Sequence, residues 1–146
     1  MWARDRASRE LGMALEEVRP GYARVRMRVR ADMLNGHGTC HGGLLFALAD
    51  SAFAFACNSH GLVTVAAGCT IEFLSPAGPE DELVAVAEER SRQGRQGVYD
   101  VDVRRADGVV VATFRGRSTS RREEVPGPPP RVGAGVAVTG IDGYPR

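Results

Sequence analysis

From Leu44 to Cys57 the sequence LLFALADSAFAFAC puts apolar residues on every side of a helix and interrupts them with one carboxylate, Asp50. A helix that is apolar all round has to be buried. An ionised carboxylate buried without a partner is costly or takes up a proton, so Asp50 needs a reason to be there. The run opens with His41-Gly42-Gly43, a sharp entry into the helix.

The remaining pattern is a set of strands able to cover that helix. Trp2 to Leu11 reads as a short helix, and Met13 to Val18 as a strand ended by Arg19-Pro20-Gly21-Tyr22, whose Pro-Gly order suits a type II turn. From Ala23 to Arg30, Ala23, Val25, Met27 and Val29 alternate with four arginines, the period of a strand with one solvated face. Leu62 to Leu74 is rich in Val, Thr, Ile and Phe and stops at a Ser-Pro-Ala-Gly-Pro cluster. Gly68 in its middle marks a bulge or a close approach. Leu83 to Arg92, Gly97 to Arg105 and Val109 to Arg117 make three more strands, the last two joined by the hairpin signal Asp107-Gly108. One long apolar helix among such strands implies an α+β domain, residues 1–118, in which a meandering antiparallel sheet curls around the helix. Residues 119–146, rich in Pro and Gly, read as a disordered or loosely attached tail.

Composition narrows the function. A chain of 146 residues with 43% apolar content suits one domain with a real core. Its net charge of +1 provides no field for nucleic acid, and no apolar run reaches the ~20 residues a bilayer span needs. The charged N-terminus has no signal core, and Cys40, Cys57 and Cys69 make no even framework, which points to reduced thiols in a cytoplasm. All 19 basic residues are arginine, which excludes lysine Schiff bases and a P-loop lysine. His37, Cys40 and His41 match no common zinc spacing, so no metal is expected.

The segment NGHGTCHGG followed by LFALADSAFAFACNS, together with TIEFLSP, QGVYDVDV and VATFRGRS, resembles the phenylacetic-acid-degradation branch of the acyl-CoA thioesterases, from Leu11 to Ser118. The pattern of Asn35, five residues, His-Gly-Gly, and Asp eight residues after the first Gly carries the likeness. The resemblance implies the hotdog fold and a homodimer with active sites at its interface, the dimers pairing into homotetramers. The spacing agrees on its own terms: Gly42 and Asp50 lie about 12 Å apart along one helix, so one carbonyl cannot touch both. A two-fold dimer with antiparallel helices brings the helix start of one subunit beside the acid of the other.

In that reading the Gly42 N–H is an oxyanion donor at a helix start. Asp50 is either a general base on water or a nucleophile giving a mixed anhydride. A thiol leaving group with a pKa of about 8.5 departs without a strong general acid. The resemblance carries over Asn35 and His41 as polar contacts orienting the thioester or the water; turn chemistry and a helix cap are the plain alternatives. Relatives place a Ser or Thr in the strand after the helix, where this chain has Ala66, Ala67 and Gly68; Thr64 or Thr70 can substitute. Arg92, Arg95, Arg115 and Arg117 are the candidates for the coenzyme A phosphates, and Phe46, Phe53, Phe55 and Phe73 for an aromatic acyl pocket. The implied activity is hydrolysis of an aryl- or related acyl-CoA to free acid and CoA, with no cofactor. An acyl-thioester dehydratase and a non-enzymatic acyl-CoA-binding module are the alternatives, separated by free thiol release and by an ester that stays intact.

Overall fold

The computed structural model describes residues 1–125 and the backbone of residues 136 and 137. A 3-10 turn (Trp2–Arg4) and helix α1 (Arg6–Glu10) lead into strands β1 (Ala14–Arg19) and β2 (Tyr22–Arg28). After a second 3-10 turn (Ala31–Met33) come helix α2 (Gly42–Asn58) and strands β3 (Leu62–Phe73), β4 (Glu82–Gln93), β5 (Gln96–Arg105), β6 (Val110–Glu124) and β7 (Val136–Ala137). The strands form one antiparallel sheet curled around α2, the expected hotdog architecture, in the order β3-β6-β5-β4-β2-β1-β7.

Tight turns fix some neighbours and not others. Gly21, Gly94 and Gly108 take φ of +73°, +57° and +87°, the left-handed values that close the three hairpins. Only β4, β5 and β6 therefore meander in chain order. The expectation of a meander throughout is corrected elsewhere: β2 pairs with β4, and β3 pairs with β6 at the opposite edge. The long connection containing α2 releases β3 from its sequence neighbour, so it pairs where an edge is open.

Three further expectations change in detail. The N-terminal helix is broken in two because Asp5 caps α1, its carboxylate accepting the Ser8 N–H. Strand β6 continues through Glu124, beyond the Ser118 boundary, and Val136 and Ala137 pair with Val18 and Glu17. Residues 126–135 and 138–146, where most of the expected tail falls, lie outside the described residues. Gly68 does mark a bulge, a register shift between Ala66 and Gly68.

The core lies between the sheet's inner face and α2. Val25 and Val29 of the second strand region, Leu83, Ala85 and Ala87 of β4, and Val101 and Val103 of β5 are fully buried. Phe53 stacks edge-on against Tyr99, ring centroids 5.5 Å apart, and lies against β6 so closely that a Cβ at Gly116 would come within 2.7 Å of its ring. On the outer face Arg24, Arg26 and Arg28 point to solvent as their alternation indicates, paired with Glu16, Glu82 and Glu80. Among the described residues no helix is long and apolar enough to cross a membrane.

The helix is not covered on every side. Leu45, Leu48, Ala49, Ala52, Phe53, Phe55, Ala56 and Cys57 are buried, whereas Ala47, Asp50, Ser51, Ala54 and Asn58 are only half-buried. Residues 50, 54 and 58 follow the i, i+4 spacing of one helix face, and this face leaves the sheet open.

Candidate active site

The start of α2 is pinned by backbone hydrogen bonds, His41 N–H to Met33 O at 2.9 Å and Cys40 N–H to Ala77 O at 2.8 Å. His41 caps the helix: its Nδ1 accepts the Gly43 N–H at 3.0 Å, which leaves the proton of the neutral ring on Nε2. The Gly42 N–H makes no hydrogen bond among the described residues. Gly42 lines a cavity of about 350 Å³ with Asn35, Thr39, Cys40, Leu45 and residues 73–76. A side chain there would press on Phe73, whose ring lies 3.2 Å from the position of a Cβ. The available donor at the positive end of the helix is therefore a bare backbone N–H.

Asn35 shares that cavity, but both ends of its amide are used in its own loop. Oδ1 accepts the His37 N–H at 2.9 Å and the Thr39 N–H at 3.3 Å, while Nδ2 donates to Thr39 Oγ1 at 3.1 Å. Asn35 shapes the loop before the helix, and His41 shapes the helix entry.

Asp50 lies in a different cavity, of about 520 Å³, lined by Phe53, Ala54, Cys57 and Asn58 of the helix, residues 63–66 of β3, Val125, and Met1, Arg4 and Asp5. Its carboxylate has no hydrogen-bond or ion-pair partner among the described residues. Burial pushes its pKa above the ordinary aspartate range. The Cys57 thiol in the same cavity is pushed up to about 12 by burial, so it stays protonated and is not a competing nucleophile. Within one protomer, then, the free donor and the free acid occupy separate cavities, as eight helical residues demand.

The hydroxyl question separates by strand face. Thr64 lines the Asp50 cavity and is buried, its Oγ1 2.9 Å from Ser120 Oγ. Thr70 pairs with Arg115 and lines an outer groove with Asp100. Asn58 had no sequence signal of function, yet it holds the start of β3 beside Asp50, accepting the Thr64 N–H at 2.9 Å and donating to Thr64 O at 2.8 Å. A polar residue in the last turn of a helix is the pattern that marks such a clamp.

The four arginines are not equivalent. Arg115 is held by Asp100 in a two-pronged pair at 2.6 and 2.8 Å. Arg95 Nε donates to Ser120 O at 3.0 Å, and Arg92 lies 4.0 Å from Glu89. Arg117 makes no hydrogen bond or ion pair among the described residues; it lines a groove with Ala67, Ser91, Gln93 and Gln96 on the outer side of the Gly68 bulge. Of the four phenylalanines, Phe53 reaches the Asp50 cavity; Phe46 packs on Phe114, Phe55 on Trp2, and Phe73 is 54% exposed. Among the described residues no cluster of three or more His, Cys, Asp or Glu could hold a metal ion.

A single antiparallel sheet rolled around one long helix is the hotdog architecture. The Thioesterase superfamily model matches residues 37–112, and the chain belongs to that family. It is 48% identical over 118 residues to the Escherichia coli acyl-coenzyme A thioesterase PaaI, covering 81% of this chain and 84% of that protein. The human acyl-coenzyme A thioesterase 13 is 31% identical over 106 residues, covering 70% and 76%. Among solved structures, E. coli PaaI superposes with a TM-score of 0.84 at 45% identity, over 85% of this chain and 90% of that one. The TT0310 protein of Thermus thermophilus gives 0.76 at 42%, over 80% and 97%.

Proposed function

We propose that this enzyme hydrolyses acyl-CoA thioesters at a site shared by two subunits, Asp50 from one and the Gly42 N–H from the other. The observation that carries this reading is the half-buried Asp50, unpartnered among the described residues, facing a cavity at the open edge while the Gly42 donor, equally unpartnered there, lies in a second cavity along the same edge. Strand β3 is an edge of the sheet, with Val65 and Phe73 exposed at 36% and 54%. A long apolar edge is a pairing surface, and pairing it antiparallel with a second copy sets opposite ends of the two helices side by side.

At such a site water attacks the thioester carbonyl while Asp50 takes its proton. The oxyanion of the tetrahedral intermediate is held by the Gly42 N–H, and the intermediate collapses by expelling the CoA thiolate, leaving the free acid. The raised pKa makes Asp50 a stronger base than a solvated aspartate, at the cost of a smaller ionised fraction in acid. A mixed anhydride with Asp50, opened by water in a second step, uses the same two groups. Asn35 and His41 serve by shaping the entry to the donor. Arg117, free of partners among the described residues, is the first choice for a CoA phosphate, with Arg95 and Arg92 beside the same hairpin, while Arg115 is already committed to Asp100.

An aryl-acetyl acyl group is supported by the E. coli relative, whose structure is that of a protein from the phenylacetic acid degradation operon. The same reading includes pairing of dimers into a tetramer, a cytoplasmic location, and no cofactor. Mixed dimers test the shared site. One chain carries Asp50→Asn and the other Gly42→Pro, a substitution suited to a first helical position that removes the N–H. Each parent homodimer is expected to be folded and nearly inactive, whereas the heterodimer regains about half of wild-type turnover, because losing one oxyanion donor costs about 10²- to 10³-fold. Free thiol is followed and the acyl product is checked for unsaturation. Heterodimers as inactive as their parents would show that Asp50 serves its own chain.

A further inference from the structure

The N-terminal residues lie across the half-buried face of α2 that the sheet leaves open. Met1, Arg4 and Asp5 are part of the wall of the cavity that holds Asp50. Among the described residues, Trp2 and Ser8 help keep them there. Trp2 packs edge-on against Phe55, with ring centroids 5.5 Å apart and planes at 62°. Asp5 accepts the Ser8 N–H at 3.0 Å and the Ser8 hydroxyl at 2.7 Å. With its own proton given to Asp5, Ser8 Oγ accepts from the Ser51 hydroxyl 2.9 Å away. Ser51 is the residue after Asp50, so the segment is tied to the helix turn that carries the acid.

Resting on the assignment of Asp50 as the reacting carboxylate, we propose that residues 1–5 form a wall of the acyl pocket and set the size of acyl group the enzyme accepts. The cavity measures about 520 Å³, within the roughly 300–1,000 Å³ of small-molecule sites. Phe53, Ala54, Val63 and Val65 give it apolar sides, and Arg4 and Asp5 give its N-terminal wall charged groups. A short or ring-sized acyl group fits between the apolar sides. A long saturated chain has to displace the wall or bury itself against its charges, which loses their hydration.

The test compares kcat/KM for acetyl-, phenylacetyl- and dodecanoyl-CoA by free thiol release. The double variant Trp2→Ala/Ser8→Ala removes the Phe55 and Ser51 contacts, and Arg4→Ala trims the wall at an exposed side chain while leaving Trp2 and Ser8 unchanged. The dodecanoyl-to-phenylacetyl ratio is expected to rise about tenfold in the double variant, the scale on which pocket size discriminates, and by less in Arg4→Ala. Ratios unchanged in the folded variants overturn the proposal; should the double variant not fold, Arg4→Ala decides alone. Asp50→Asn is assayed alongside. Retained turnover there overturns the active-site assignment itself, whereas an inactive Asp50→Asn with unchanged ratios overturns only the wall.

Discussion

Two half-buried carboxylates, Asp50 on α2 and Glu89 on β4, are treated in opposite ways by the same fold. Glu89 accepts the Tyr99 hydroxyl at 2.7 Å and lies 2.6 Å from His60 Nε2, with Arg92 at 4.0 Å. Burial works to raise its pKa, but those partners outweigh it and leave it below the usual glutamate range. Asp50 has burial without partners among the described residues, and its pKa moves up. A buried acid with satisfied oxygens fastens structure, because its lone pairs are already committed. An acid left open to a cavity is destabilising when ionised and available for chemistry.

Replacing the two acids should therefore separate activity from stability. Asp50→Asn is expected to lower turnover by about 10²- to 10⁴-fold, the range of a general base, while raising Tm at neutral pH. The sign follows from proton counting. Between its unfolded and raised folded pKa, Asp50 binds more protons in the folded state, so its penalty is absent below that window, grows through it and is complete above it. The gain in Tm should vanish in acid. Turnover within threefold of wild type, or no gain in Tm, would break the contrast from the Asp50 side.

Glu89→Leu should show the reverse, turnover within threefold of wild type and stability lower by about 1–3 kcal/mol in denaturant melts, because the buried Tyr99 hydroxyl loses its acceptor. Here the folded pKa is depressed, so the contribution is present above the unfolded pKa and is lost as pH falls through the folded one. The variant's deficit should shrink in acid. Equal stability of variant and wild type at neutral pH would count against the cluster as a fastening.

The pH profile sharpens the comparison within the wild type. If ionised Asp50 is the base, kcat/KM falls on the acid side with a midpoint above the ordinary aspartate value of about 3.9, and Asp50→Glu moves that limb. An acid limb at the ordinary value would mean that the burial of Asp50 is relieved in the working enzyme.

The smallest expected effect concerns the arginines, where the same distinction between committed and open groups recurs. Arg117→Ala should raise KM for a full CoA ester up to about fivefold, the equivalent of the roughly 1 kcal/mol of an exposed ion pair, and leave a thioester lacking the nucleotide unaffected. Arg115→Ala, which removes a group already held by Asp100, should change neither. Equal effects on both substrates would argue against phosphate contact.

Local chemistry was legible in the residues themselves. The apolar run of α2, the alternation of β2, and the Pro20-Gly21 and Asp107-Gly108 turns act over a few positions, so they announce elements and hairpins before any tertiary contact exists. The spacing of Gly42 and Asp50 is also local, since helix rise alone keeps them apart, and HGG with the distant Asp marked both. What Asn35 and His41 do was not decided by their identity, because a side chain that can contact a substrate can equally bond its own loop, and their neighbours satisfy them first. The pairing of β3 with β6, the placing of Thr64 beside Ser120, the commitment of Arg115 to Asp100 and the laying of Trp2 and Ser8 across α2 all join residues far apart in the chain. The sequence by itself determined which segments are helix and strand and that one acid sits in the central apolar helix; only the tertiary structure decided how far that acid is buried, which polar groups find partners and which stay open, because a hydrogen-bond partner is a matter of position in space and not of order along the chain.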